Sequence, residues 1–286
     1  CGAQARVLQT RAENNFFPTV QDITDSIADP AVRLVCLNSP SNPCGTVISL
    51  EVLRGISQAI VEANLRRASR GERPVFLLYD QVYWPLTFGA RLHHHPIEVV
   101  PAIAPWVIYI DAISKWMVGT GLRLGWAVVP TYIYAPLRDF MGHVGAWAPR
   151  PVQVATAKFL RNELAFQEYI QELRAALQAR LSAVYVFFQE MVRRGLPVTT
   201  TVPQGAIYLS VRFDVLGKTT PAGMVLRSND DIRRYLLTEA HVALVAFQAF
   251  SLWEDTGWFR ISVGAVSGVA LDAGLLRLRD AITALR

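Results

Sequence analysis

The chain has 286 residues, 52% hydrophobic and 18% charged, with a net charge of +5 and a pI near 9.3. That length exceeds what one hydrophobic core usually fills, so two domains are expected. No run approaches the roughly 18 apolar residues of a membrane helix, and residues 3–15 lack the basic start and apolar core of a signal peptide. The expected setting is therefore cytoplasmic. The arginines are scattered singly or in pairs except at Arg66, Arg67, Arg70 and Arg73, read here as a solvated helix end. Without aromatic and basic residues interleaved, no nucleic acid is expected as a partner. The cysteines at positions 1, 36 and 44 have neither disulfide-framework nor metal spacing, and Cys36 reads as a small core hydrophobe.

In chain order, apolar runs predict strands near residues 6–8, 34–37, 75–79, 107–110 and 124–129, with helical patterns at 20–27, 50–68 and 97–103 between them. Alternating strands and helices imply an α/β fold, a mainly parallel sheet with helices on both faces. A long helix is expected from Pro151 or Val152 to about Arg194, ending before Gly195. Its aromatics Phe159, Phe166, Tyr169, Tyr185, Phe187 and Phe188 read as core packing. Strands at 198–202, 206–213 and 258–263, with helices at 230–240 and 270–285, make a smaller α+β domain. The division expected is 1–150 and 151–286.

Three motifs carry the chemistry. NSPSNPCGT, Asn38 to Thr46, follows one strand, and LLYDQVYW places Asp80 and Tyr83 at the carboxyl end of another. In open α/β sheets that edge is where ligands bind. YIDAISKWMVGTGLRLGW holds Lys115, one of three lysines, after an apolar strand, with Arg123 eight residues on. A lysine near an apolar wall can lose its proton and attack a carbonyl, and an arginine on a glycine-rich turn suits a phosphate. An aldehyde carrying a phosphate is pyridoxal 5'-phosphate. Asp80 can hold a pyridinium nitrogen protonated, while Tyr83 and Asn42 can donate to the ring's phenolate oxygen.

Other features read more plainly. Gly217-Lys218-Thr219 lacks the first glycine of a phosphate loop, since position 212 is arginine. It is a turn. His93-His94-His95 reads as a polar loop rather than a metal site.

The order of these motifs, closed by Arg260 in WFRISVG, resembles the class I/II aminotransferases of the fold-type-I pyridoxal-phosphate enzymes, over essentially the whole chain. The resemblance implies that Lys115 is the Schiff-base lysine and Asp80 the partner of the pyridine nitrogen. It assigns Tyr83 and Asn42 to the 3'-oxygen, Arg123 to the phosphate, and Arg260, with Asn42, to the substrate carboxylate. It implies amino-group transfer between amino acids and keto acids, and a homodimer in the complete protein. Alternatives left open are β-elimination or decarboxylation on the same scaffold, or a truncated or non-catalytic aminotransferase-like domain.

The departures matter too. Ala112 stands where many relatives have a phosphate-contacting serine, though Ser114 is kept; Cys44 replaces threonine and Gln81 replaces glutamate. Val144 stands where dicarboxylate-specific members carry arginine, which argues against aspartate as substrate, with His143 and Arg150 the polar residues nearby. No glycine-rich loop precedes Asn38, so the chain is read as lacking an amino-terminal segment, and weaker dimerisation and cofactor retention are expected. In the family a further strand lies between those at 6–8 and 34–37. Residues before about Pro30 are accordingly expected to be detached, repaired by another chain or loosely held.

Overall fold

The computed structural model describes residues 2–286. After a 3-10 turn at Ala12–Asn14 come α1 (Val20–Ala28), β1 (Leu34–Asn38), α2 (Leu50–Ser69) and β2 (Phe76–Asp80). Then come α3 (Pro96–Val99), a 3-10 helix at Pro101–Trp106, β3 (Val107–Ala112), α4 (Ile113–Trp116) and β4 (Gly125–Val128). β1, β2 and β3 pair in parallel, and β4 returns antiparallel to β3. Asn38 lies opposite Asp80, and Asp80 opposite Ile110, so three carboxyl ends share one edge.

Alternation along the strands decides which side is packed. Val35, Leu37, Leu77, Tyr79 and Val107 form one core with Ile23, Ile27, Leu53, Ile56 and Ile60 of the helices. Cys36 falls on the opposite face and is exposed, not the core residue expected. α1 starts where Thr19 accepts from the Asp22 amide and the Asp22 carboxylate accepts from the Thr19 amide, a reciprocal cap that satisfies two orphan donors.

The expected strand at residues 6–8 is absent: β1 is an edge of its sheet, and that segment does not pair with it. The expectation that residues before about Pro30 are detached, repaired by another chain or loosely held is also corrected, from Phe16 onward. Phe16, Phe17, Ile23 and Ile27 are buried, and the Phe16 ring stands edge-on to Trp258, centroids 5.1 Å apart.

The chain continues through α5 (Thr131–Val144), α6 (Arg150–Leu160) and α7 (Glu163–Arg193). α5 escaped the sequence reading: Pro136 lies inside it, and none of its residues is buried, so no apolar face marks it. The long helix expected as one piece is two. Asn162 interrupts it and restarts α7 by accepting from the Ala165 amide at 3.2 Å, a task for which asparagine suits better than helix interior.

β5 (Val198–Thr200), β6 (Tyr208–Phe213), α8 (Asn229–Glu239), β7 (Val245–Ala246), β8 (Trp258–Ser262) and α9 (Gly268–Thr283) complete the chain. Their strands form an antiparallel sheet in the order β5-β6-β8-β7, packed on α7, α8 and α9. Leu181, Val184, Phe188, Val211, Phe213, Leu236, Phe259 and Leu278 are the centre of this second core. Tyr83 and Trp116, from beside the first sheet, pack into it. Among the described residues no helix is long and apolar enough to cross a membrane.

Candidate active site

The loop after β1 is stitched to the second sheet. The Gly45 carbonyl accepts from the Gln204 and Gly205 amides, the Gln204 side chain accepts from the Val47 amide, and Ser210 donates to the Cys44 carbonyl. Burial pushes the Cys44 thiol up to about 12, so it stays protonated and inert there. The loop thereby brings Asn42 beside Arg260: the guanidinium donates to Asn42 Oδ1 at 2.8 Å. That leaves the amide nitrogen of Asn42 as a donor. The Arg260 guanidinium also lies over the Tyr208 and Phe250 rings, 4.6 and 5.0 Å from their centroids. Its Nε is buried without a partner. A half-buried guanidinium with aromatic walls and unfilled donor capacity is built for a planar anion.

Asp80 closes β2, and its Oδ1 accepts from the Val82 amide at 3.1 Å. No cation pairs with it among the described residues, and burial raises its pKa. A carboxylate desolvated without a counter-charge fits a cationic ring nitrogen. Tyr83 is buried, its hydroxyl 2.8 Å from that of Tyr208. Burial, then the bond to Tyr208, raises its pKa and keeps it a proton donor.

Lys115 lies in α4, directly beyond the carboxyl end of β3, on the same sheet edge as Asp80. Trp84 and Trp116, each one residue past Tyr83 and Lys115, donate to the two oxygens of Asp111 at 3.0 Å. Their rings are 6.3 Å apart, so one carboxylate ties the Asp80–Tyr83 turn to the lysine segment. Arg123 is exposed, with φ 57°, after the 3-10 turn Thr120–Leu122, and donates to the Thr120 carbonyl. Its turn folds back on α4, since the Ile113 amide donates to the Leu124 carbonyl.

The structure therefore sets Asn42 against Arg260, sets Asp80 and Lys115 on neighbouring strand ends, and puts Arg123 on the turn behind the lysine. Tyr208 and Asp111 were missed by sequence reasoning. Asp111 sits four residues before Lys115, and an acidic residue inside an apolar strand was the available signal. Tyr208 gave none, because its partners Tyr83 and Arg260 are distant in sequence. His93 and His95 lie in a loop, as expected, but both turn toward Gln81, and burial pushes His93 down to about 3. Among the described residues no His, Cys, Asp or Glu group is arranged for a metal.

Burial pushes Asp111 up to about 6, against the opposing pull of its indole and amide donors. A carboxyl whose folded pKa is raised binds its proton in the fold while the unfolded chain has released it. Its contribution is fully present below the unfolded value of 3.8 and lost as pH rises through about 6. We expect stability to fall by about 2–3 kcal/mol over that window from this group. Urea melts at pH 4 and 7 should show a smaller difference in Asp111→Asn, and an unchanged difference would refute the assignment. The variant's absolute stability should also drop, because its amide nitrogen meets an indole donor.

A family model for aminotransferase class I and II matches residues 1–277. The chain belongs to that family. A probable aspartate/prephenate aminotransferase of Rhizobium leguminosarum bv. phaseoli is 27% identical over 263 residues, 92% of this chain and 61% of that protein. The crystal structure of the aspartate aminotransferase from Rhizobium meliloti superposes with TM-score 0.86 at 27% identity, covering 98% of this chain and 65% of that one. An aromatic aminotransferase from Pyrococcus horikoshii OT3 shares the fold, with TM-score 0.81, 24% identity and coverage of 96% and 65%. The chain thus spans under two thirds of the length of these relatives. The family membership agrees with the resemblance drawn from the motifs, and the mostly parallel sheet with a smaller antiparallel one agrees with the expected fold class.

Proposed function

We propose that this chain carries the catalytic residues of a pyridoxal-phosphate-dependent aminotransferase that moves an amino group between an amino acid and a keto acid. The single observation that carries the reading is the shared edge: an uncompensated Asp80 closes β2, and Lys115 follows the end of the neighbouring parallel strand β3. Bound there, pyridoxal 5'-phosphate would supply the aldehyde and the electron-withdrawing ring on which amino groups are exchanged.

In this reading Asp80 holds a proton at the ring nitrogen, and Tyr83 with the Asn42 amide nitrogen donates to the 3'-oxygen. Arg123 holds the phosphate. Lys115 supplies the amine that retains the cofactor and, once released, moves the substrate's α-proton as base and then acid. Arg260 binds the α-carboxylate, for which its unfilled donors are suited. Val144, exposed at the end of α5, offers no cation for a second carboxylate, which favours a substrate other than aspartate. The division into a cofactor-binding part, 1–150, and a carboxyl-terminal part, 151–286, is supported by the two sheets. Tyr83 and Trp116, packed in the second core, blur its edge. A homodimer and a cytoplasmic setting belong to the same reading, on the family resemblance.

The test is borohydride reduction in the presence of excess pyridoxal phosphate, followed by peptide mapping. Label is expected on Lys115, and Lys115→Ala should remove essentially all of it while Lys218→Ala leaves it intact. Label that persists in the Lys115 variant, or that falls on Lys158 or Lys218 instead, would overturn the proposal.

A further inference from the structure

We propose that Tyr208 is the positioning residue that couples Arg260 to Tyr83, its ring carrying the guanidinium and its hydroxyl bonded to the Tyr83 hydroxyl. The inference deepens the aminotransferase reading and rests on it for the roles of Tyr83 and Arg260. The contacts themselves do not.

Tyr208 opens β6, where Tyr208 pairs with Ser262 and Ser210 with Arg260, so it stands next to the arginine's strand. Only 4% of it is exposed. Its backbone is pinned as well, because the Gly45 turn presses on its carbonyl oxygen so closely that no side chain fits between them. A tyrosine fixed at its backbone still has freedom of ring orientation, and two contacts remove it. The hydroxyl at one end meets Tyr83 at 2.8 Å, and a buried hydroxyl holds such a partner because nothing else there satisfies it. The ring face carries the Arg260 guanidinium at 4.6 Å, a cation on the negative face of a π-system.

These contacts lie in series. The bond to Tyr83 sets the ring, and the ring sets the plane of a guanidinium whose donors must face a carboxylate. Tyr83 comes from the turn after β2 and Arg260 from β8, so the series joins the two sheets through one side chain. Breaking the hydroxyl bond from either end should disturb Arg260 equally, since either change removes the same bond. Removing the ring should disturb it more.

The test uses the cofactor-free chain and propionate, an unreactive carboxylate, by titration calorimetry. Tyr83→Phe, Tyr208→Phe and the double variant should each weaken propionate binding by the same factor, about threefold. Tyr208→Leu, which also removes the aromatic platform, should weaken it about tenfold. Arg260→Ala should abolish it and so establishes that the probe reports on that arginine. If the effects of the two phenylalanine substitutions multiply, or if Tyr83→Phe leaves affinity untouched, the coupling is refuted. If Tyr208→Leu matches Tyr208→Phe, the ring is not the platform and the proposal falls. Should Tyr208→Leu fail to fold, the phenylalanine cycle decides alone. Failure of borohydride labelling at Lys115 would sink the aminotransferase reading while leaving this cycle interpretable.

Discussion

Gly45→Ala should lose about 3 kcal/mol or more of folding stability and separate Asn42 from Arg260. Two terms add. Gly45 has φ +69°, a conformation that costs an alanine about 1–2 kcal/mol. A Cβ there would also sit 2.1 Å from the Tyr208 carbonyl oxygen and 2.9 Å from its carbon. Both are backbone atoms of a central strand, so neither can swing aside as a flexible side chain would. The loop must lift, and lifting it breaks the bonds from Gln204, Gly205 and Ser210 that hold Asn42 in place. Gly71 is the control: its φ is +68° with nothing within 4 Å, so Gly71→Ala carries the strain alone. Denaturant melts should place Gly45→Ala well below Gly71→Ala. Equal midpoints would show that the approach of loop to strand is not tight. Carboxylate affinity should fall along with stability in the Gly45 variant, since the same loop orients the Asn42 partner of Arg260.

Replacing Arg67 should be comparably damaging, about 3–5 kcal/mol for Arg67→Ala. Arg67 is 4% exposed, and its guanidinium donates to four backbone carbonyls, those of Ile27, Asp29, Val32 and Arg73, at 2.8 to 3.3 Å. These oxygens end α1, carry the chain toward β1 and lead into β2. One planar fork therefore holds three segments, and its loss leaves their carbonyls short of donors in a site closed to water. Burial depresses the Arg67 pKa, though arginine stays charged. Arg67→Lys should recover only part of the loss, because three donors on one nitrogen cannot span four divergent oxygens. Its neighbours Arg66, Arg70 and Arg73 are exposed, and Arg66→Ala should stay within about 0.5 kcal/mol of the parent. Hydrogen exchange should quicken across residues 20–33 in Arg67→Ala. Unchanged exchange there would refute the stapling role.

Arg67 also marks the boundary between what the sequence determined and what it left undecided. Its run of arginines reads as one solvated helix end, and three of the four are exposed as expected. No local pattern distinguishes the fourth, because its acceptors lie up to 40 residues away. Strands such as β1, β2 and β3 were legible because an apolar run between turn signals buries itself whatever surrounds it. The helices α1 and α2 were legible for a similar reason, since Thr19 and Ser49 cap them locally. The placement of Asp80, Lys115 and Arg123 at strand ends and turns could be read too, because each belongs to a motif contained within one strand and the turn that follows.

Where the deciding partner is remote, the sequence is silent. The exposure of Cys36 turns on which face of β1 meets the helices. Tyr208 is the plainest instance: it acquires a role only where β6, the Gly45 loop, Tyr83 and Arg260 converge, 125 residues separating the two hydroxyls. Local periodicity specifies what an element buries. Only tertiary packing decides which buried polar groups find each other, because a hydrogen bond or a ring–cation contact depends on distances that no sequence interval encodes.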